Sequence, residues 1–232
     1  MQIIGGVQID GGTKLLAPDS FSIVTTGLIL HLDAGNASSY PGSGTTWTDL
    51  SPSAKDGTIT GATYSAADGG ALSFTSTNKV EVTSASAIWG LTNNITAEVW
   101  YTSTNYQPQL MSTGVSNQGF NFGRYTTSPT KFKVTKYNVI DIYKGDIPQN
   151  TNWHQAVVTF SSTTGVRVYV DGALSESLAN NTNLVAGSRL TIGQAESGYH
   201  VGKISIIRMY NVALSASQVL QNFNANKSRY GL

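Results

Sequence analysis

Thirteen acidic side chains and three histidines are the groups from which this chain would have to build acid–base or nucleophilic chemistry. Cleaving a glycosidic bond takes two carboxylates, one as acid and one as nucleophile or base. On a strand such a pair stands on alternate residues, which share a face. The acids here are scattered singly, and Glu81 and Glu98 each lack an acidic neighbour. A Ser–His–Asp triad would have to use His31, His154 or His200. No Gly-x-Ser-x-Gly elbow offers the nucleophile. No phosphate-cradling glycine loop and no His-Glu-x-x-His zinc motif occurs either. His154, beside Trp153, reads as a hydrogen-bonded structural histidine. The expectation is therefore a protein without a catalytic centre.

Binding chemistry has more material. A sugar site needs aromatic platforms with amides and hydroxyls in rim loops. Tyr106, Tyr125, Tyr143 and Tyr199 fall in loop-like or strand-edge segments, near Asn105, Asn121, Arg124 and Gln194. These four tyrosines and Arg124 are the candidate glycan contacts. Ordinary surface or subunit contacts are the plainer reading of the same tyrosines. The net charge of +1 gives no electrostatic footprint for nucleic acid.

The elements that position these residues are strands. With 40% apolar residues the chain can fill a core, and with only 12% charged residues and 24 glycines it is poor helix material. Ile95, Ala97, Val99 and Tyr101 alternate with Thr96, Glu98 and Trp100, the period of a strand with two distinct faces. Short apolar runs recur at Gly27–Ala34, Gly57–Ile59, Ala71–Phe74, Lys79–Val82, Gln109–Ser112, Gly119–Phe122, Thr130–Val134 and Val139–Ile142. Each is closed by turn residues, which implies an antiparallel sandwich or barrel. Residues 84–90 suggest a helical turn. Asp171-Gly172 between Val166–Val170 and Ala173–Leu178 is a hairpin signal. Ser215 and Gln218 have capping-box spacing before Val219, Leu220 and Phe223, so a short helix closes the chain. Trp100 and Trp153 are expected to pack in or against the core. Ile204 and Ile206, with Ser205 and Ile207, put apolar side chains on both faces of one strand. One face must enter the core, and the other must meet a helix of the same chain or a neighbouring subunit.

Residues 1–26 read differently. Gly5-Gly6 and Gly11-Gly12 bracket Val7-Gln8-Ile9, and Ile3, Ile4, Val7 and Ile9 are too apolar for a solvated tail. An extended arm that orders against a partner fits this pattern. An extra edge strand is the alternative. The start lacks the basic and uninterrupted apolar regions of a signal peptide. No apolar run approaches a membrane-spanning length. The absence of cysteine fits folding in a reducing cytoplasm, that of a bacterial host included.

Five words stand in a fixed order from Gly27 to Leu232. They are Gly27-Leu28-Ile29-Leu30-His31-Leu32-Asp33-Ala34-Gly35-Asn36, Thr96-Ala97-Glu98-Val99-Trp100, Trp153-His154-Gln155, Val168-Tyr169-Val170-Asp171-Gly172 and Tyr210-Asn211-Val212-Ala213-Leu214-Ser215. Together they resemble the laminin-G-like branch of the concanavalin A-like lectin/glucanase superfamily. The resemblance implies an all-β antiparallel jelly-roll sandwich over 27–232, with a short C-terminal helix and an N-terminal arm. Glucanases of that superfamily carry a Glu-x-Asp-x-x-Glu strand, which this chain lacks. Laminin-G-like relatives often hold calcium at the sandwich rim, which makes Asp33 and Asn36 the candidate metal ligands. Against this, residues 204–208 carry no acid before the Tyr-Asn-x-Ala-Leu-Ser word. The closing Asn222–Gly231 and the Ser39-Tyr40-Pro41-Gly42 turn resemble domains of tailed-phage virion proteins. That likeness implies a non-enzymatic structural protein on the virion surface, as a capsid decoration or a tail or fibre component; a carbohydrate-binding adhesin module for host attachment is the alternative, and a glycoside hydrolase stands behind both. It also implies other virion proteins as partners, a homo-oligomer such as a trimer, and a host-surface glycan as ligand. No nucleic acid and no membrane insertion are expected.

Overall fold

The computed structural model describes residues 8–10, 14–16, 21–83, 93–104, 108–114, 118–124, 131–136, 139–146, 148, 150–187, 189–195 and 198–232. They form two large antiparallel sheets packed face to face. Sheet I runs from edge to edge as Ile140–Asp146, Lys131–Lys136, Phe120–Arg124, Gln109–Ser112, Leu190–Ile192, Lys79–Val82, Gly57–Thr60 and Thr46–Trp47. Sheet II runs as Ala173–Leu178, Gly165–Val170, His154–Ser161, Ile95–Ser103, Gly202–Tyr210, Ala71–Phe74 and Thr63–Ser65, and Leu28–Asp33 pairs with the far half of Gly202–Tyr210. This is the jelly-roll sandwich that the sequence implied.

The period-two pattern of Ile95–Ser103 decides how the layers stack. Ile95, Ala97, Val99 and Tyr101 enter the core between the sheets, with Val158, Phe160 and Met209 from sheet II and Trp47, Val80, Phe122 and Phe132 from sheet I. Each fully buried side chain of this size contributes roughly 1.5–3 kcal/mol. At Asp171 and Gly172 the φ angles are +51° and +76°, the left-handed pair that a two-residue hairpin needs and that Asp-Gly supplies.

Thr96, Glu98 and Trp100 face the opposite way, into a second layer built by the C-terminus. The helix Ala216–Asn226 starts at Ser215, whose hydroxyl accepts from the Gln218 N–H while the Gln218 side chain accepts from the Ser215 N–H. A 3₁₀ turn, Lys227–Tyr230, follows. The expected apolar stripe needs correction. Val219 is buried, but Leu220 is 45% exposed and Asn222 takes a buried place. The helix lies on a sheet face that carries Glu98 and Arg208, so its buried side must offer amides as well as methyl groups.

The two-sided strand also has its explanation here. A bulge between Ile204 and Ile206 shifts the register, so that Ile206 stands opposite Trp100 and Ile207 opposite Val99. Ile204 and Ile207 both join the central core, and Ile206 is fully buried under its own chain's outer layer. The face expected to need a helix or a subunit is covered by the chain's own C-terminal elements, which removes the sequence argument for an oligomer.

At the N-terminus, Gln8–Asp10 pairs with Lys14–Leu16, Ile9 opposite Leu15, in a separate two-stranded ribbon. Ile3, Ile4 and Val7 lie outside the described residues, as does the suggested turn at 84–90. Val24, on the arm side of Gly27, is built into the outer layer: it packs with Tyr169, Tyr210, Leu214 and Val219, and its N–H donates to Asn222 Oδ1 over 2.8 Å. No described helix is long and apolar enough to cross a membrane.

Candidate functional site

The outer layer is held by a buried polar cluster centred on Glu98. Its Oε1 accepts from Arg208 Nη1 at 2.8 Å, Gln155 Nε2 at 2.9 Å and Trp100 Nε1 at 3.2 Å. Its Oε2 accepts from Asn222 Nδ2 at 2.7 Å. Asn222 also donates to Tyr210 Oη, and Arg208 donates to Asn226 Oδ1. Beside this cluster Trp100 stacks with two rings, Phe223 at 5.7 Å and Tyr230 at 4.6 Å, at interplanar angles of 4° and 22°. Trp153 packs on the Tyr230 ring at 4.6 Å. Glu98 thus has four donors and no access to solvent. Its arrangement fastens the helix to the sheet, and both tryptophans pack as the sequence suggested.

Beside Tyr230, Gly231 and Leu232 the outer face of sheet II forms one wall of a cleft. The next members of the Thr96–Glu98–Trp100 row, Thr102 and Thr104, line this cleft of about 520 Å³ with Thr151, Asn152, Trp153, Lys203 and Asp68. Its size lies within the range of small-ligand sites, about 300–1,000 Å³. Lys203 Nζ stands 3.1 Å from Asp68 Oδ2. Lys203, and after it the Trp153 indole, hydrogen-bond the Asp68 carboxylate and hold its pKa below the usual range.

Asp68 is set by an unusual turn. Asp68, Gly69 and Gly70 all take positive φ, at 56°, 74° and 97°. For aspartate this conformation is uncommon and needs outside support. Arg229 supplies it: Nη2 donates to the carbonyls of Gly69 at 2.8 Å and Gly70 at 2.9 Å, and to Ser205 Oγ at 2.9 Å. The guanidinium reaches them across Gly35, where a Cβ would stand 1.9 Å from Nη2 and 1.8 Å from the Gly69 oxygen. The glycine in the Asp33-Ala34-Gly35 word is therefore a requirement of this clamp.

The same arginine answers the calcium expectation. Arg229 Nη1 is 2.7 Å from Asp33 Oδ1, which also accepts from the Gly35 N–H. Asn36 Oδ1 accepts from the Ser38 N–H. Asp33 faces a guanidinium and Asn36 closes a turn, so the pair does not fit a calcium site, which gathers six to eight oxygens around the ion. Among the described residues no three His, Cys, Asp or Glu side chains gather as a metal group.

Of the tyrosine candidates, Tyr106 and Tyr125 lie outside the described residues. Arg124 and Tyr143 are placed by their backbones: Arg124 pairs with Phe132, and Tyr143 with the neighbouring Lys133, on adjacent strands of sheet I. Tyr199 is half-buried in a small ribbon, Gly198–Tyr199 against Gln194–Ala195. Hydrogen bonds from Thr104 to Val201, from His200 to Gly193 and from Gly193 to Leu110 put that ribbon at the cleft's end of the sandwich. Tyr199 is not among the residues that line the cleft. Sequence reasoning missed Asp68, Thr102, Thr104, Asn152 and Lys203. The signals for them were the continued alternation past Trp100 and the Asp-Gly-Gly turn. His154 has the structural role expected of it, bridging Asp171 Oδ2 and Asn150 Oδ1 at 2.8 Å each.

The sequence model of the concanavalin A-like lectin/glucanases superfamily matches residues 74–220. The chain belongs to this superfamily. No curated protein sequence matches it. Among solved structures it is similar to domain 4 of AbnA, a GH43 extracellular arabinanase from Geobacillus stearothermophilus, solved with arabinotriose. The TM-score is 0.67 at 18% identity, over 86% of this chain and 99% of that one. Trypanosoma rangeli sialidase matches with a TM-score of 0.63 at 16% identity, over 90% of this chain and 34% of that one. The botulinum neurotoxin type C structure, in work that ties cell entry to two ganglioside molecules, matches at 0.63 and 15%, over 86% of this chain and 51% of that one. The chain thus spans one whole domain of the arabinanase and only part of the other two proteins. At these identities the likeness is one of fold.

Proposed function

We propose that this chain is a non-catalytic glycan-binding domain carried on the surface of a phage particle, where it recognises a host-surface carbohydrate. The observation that carries the binding half is the cleft beside Tyr230. Threonine hydroxyls, the Asn152 amide, an Asp–Lys pair and the edge of Trp153 converge there, a mixture suited to the polar rim and apolar face of a sugar ring. The superfamily membership and the arabinotriose-bound arabinanase domain of the same fold support the ligand class. The non-catalytic half is supported by Glu98, which is occupied by four donors under the helix. Glu81 pairs with Lys79 at 3.1 Å. The virion setting is supported by the phage-like opening and closing words of the sequence and by the apolar arm.

Glycan microarrays probed with the whole chain test the reading, with Thr104→Ala and Asn152→Ala as site variants. Binding that both variants weaken by about tenfold is expected, the usual effect of losing hydrogen bonds to a ligand. Absence of binding, or binding untouched by either change, refutes the site. Immuno-electron microscopy of phage particles tests the setting, and label absent from every particle refutes it. Release of reducing ends from any bound polysaccharide would overturn the non-catalytic assignment.

A further inference from the structure

We infer that the cleft selects neutral sugars bearing vicinal hydroxyls over acidic sugars, which rests on the glycan-binding reading above. The juxtaposition behind this is Asp68 beside Lys203 at the cleft wall. Among the described lining side chains, Lys203 is the one cation and Asp68 the one carboxylate. With Nζ at 3.1 Å from Oδ2, they cancel each other's charge. An acidic sugar reaching for Lys203 meets the Asp68 carboxylate at the same place, and like charges at such range repel. A vicinal diol suits both partners. One hydroxyl oxygen accepts from the ammonium, and a neighbouring hydroxyl donates to the carboxylate.

The pair is built to stay in place. Lys203 sits on a central strand, where its N–H donates to Thr102 Oγ1 at 3.1 Å. Asp68 occupies the left-handed turn whose next two carbonyls Arg229 holds, and Arg229 is anchored in turn by Asp33. The turn fixes the backbone of Asp68, and Lys203 and the Trp153 indole orient its carboxylate, so it loses little freedom when a diol docks. The other described lining residues, Thr102, Thr104, Thr151, Asn152, Trp153, Tyr230, Gly231 and Leu232, have no charged side chain.

The test uses the whole chain and matched oligosaccharides, gluco- and galacto-series against their glucuronic-, galacturonic- and sialic-terminated counterparts, measured by titration calorimetry. The wild type should bind the neutral member of a pair at least about tenfold more tightly. Asp68→Asn removes the carboxylate and leaves Lys203 free, so the neutral sugar should lose about tenfold while its acidic partner gains, and the preference inverts. Lys203→Met should lose neutral binding without gaining acidic binding, and it keeps the test open if Asp68→Asn does not fold. A wild type that prefers acidic sugars, or variants that leave the ratio unchanged, overturn the selectivity and leave glycan binding standing. A wild type that binds neither class overturns both.

Discussion

Replacing Glu98 with glutamine asks whether the outer layer is fastened by charge or only by packing. The change keeps the side chain's shape and removes its charge. Arg208, 1% exposed, would lose its ion pair and keep the Asn226 amide oxygen. The new amide NH₂ would also have to face a donor. In one orientation it meets Asn222 Nδ2, and in the other it meets Arg208, Gln155 and Trp100. Breaking a buried pair by removing one partner costs about 3–5 kcal/mol. A domain of this kind holds only about 5–15 kcal/mol in all. Urea unfolding, followed by tryptophan fluorescence, should show that loss with an unchanged slope. Glu81→Gln is the control. That residue is partly exposed and paired with Lys79 at 3.1 Å, and its loss should cost less than about 1 kcal/mol. A Glu98→Gln protein within about 1 kcal/mol of wild type would refute the reasoning.

Three further outcomes are expected. Burial holds His200 and His31 at about 4, below the ordinary 6.5. The unfolded chain therefore takes up protons that the folded one refuses, and stability should be full above about pH 6.5 and decline towards pH 4. Denaturation midpoints that stay level across that window would contradict this. Lys136 Nζ donates to the carbonyls of Asn180 at 3.1 Å and Thr182 at 2.7 Å and to Asn180 Oδ1 at 2.9 Å. Lys136→Met should release that strap and speed amide hydrogen exchange at 180–187 while leaving 154–161 protected; uniform protection would show that the lysine is dispensable. Removing residues 1–20, which spares Val24 and its bond to Asn222, should leave a folded domain that, on the virion setting proposed above, no longer joins the phage particle. Unchanged incorporation would dismiss the arm as an anchor.

The sequence alone was enough for whatever rests on local periodicity and local turn chemistry. Alternation at Ile95–Tyr101 announces a strand with two different faces, because successive side chains must point to opposite sides. Asp171-Gly172 announces its hairpin because few other pairs accept two left-handed residues. Ser215 and Gln218 announce the helix start because their side chains satisfy amides within one turn. What alternation leaves open is what lies across each face. The Ile204–Ile207 run reads equally as a subunit contact and as an intrachain layer, and only the bulge and the returning helix decide for the latter. Val219, Leu220 and Phe223 look like one apolar stripe. Tertiary packing turned Leu220 to solvent and Asn222 inward, because the opposing sheet presents an ion pair. Asp33 and Asn36 look like calcium oxygens until the chain folds and brings Arg229 onto Asp33 from 196 residues away. The cleft likewise draws Asp68, Thr104, Asn152 and Lys203 from four separate segments. No spacing along the chain encodes that meeting. It is fixed by strand order and register, which depend on how the whole core packs.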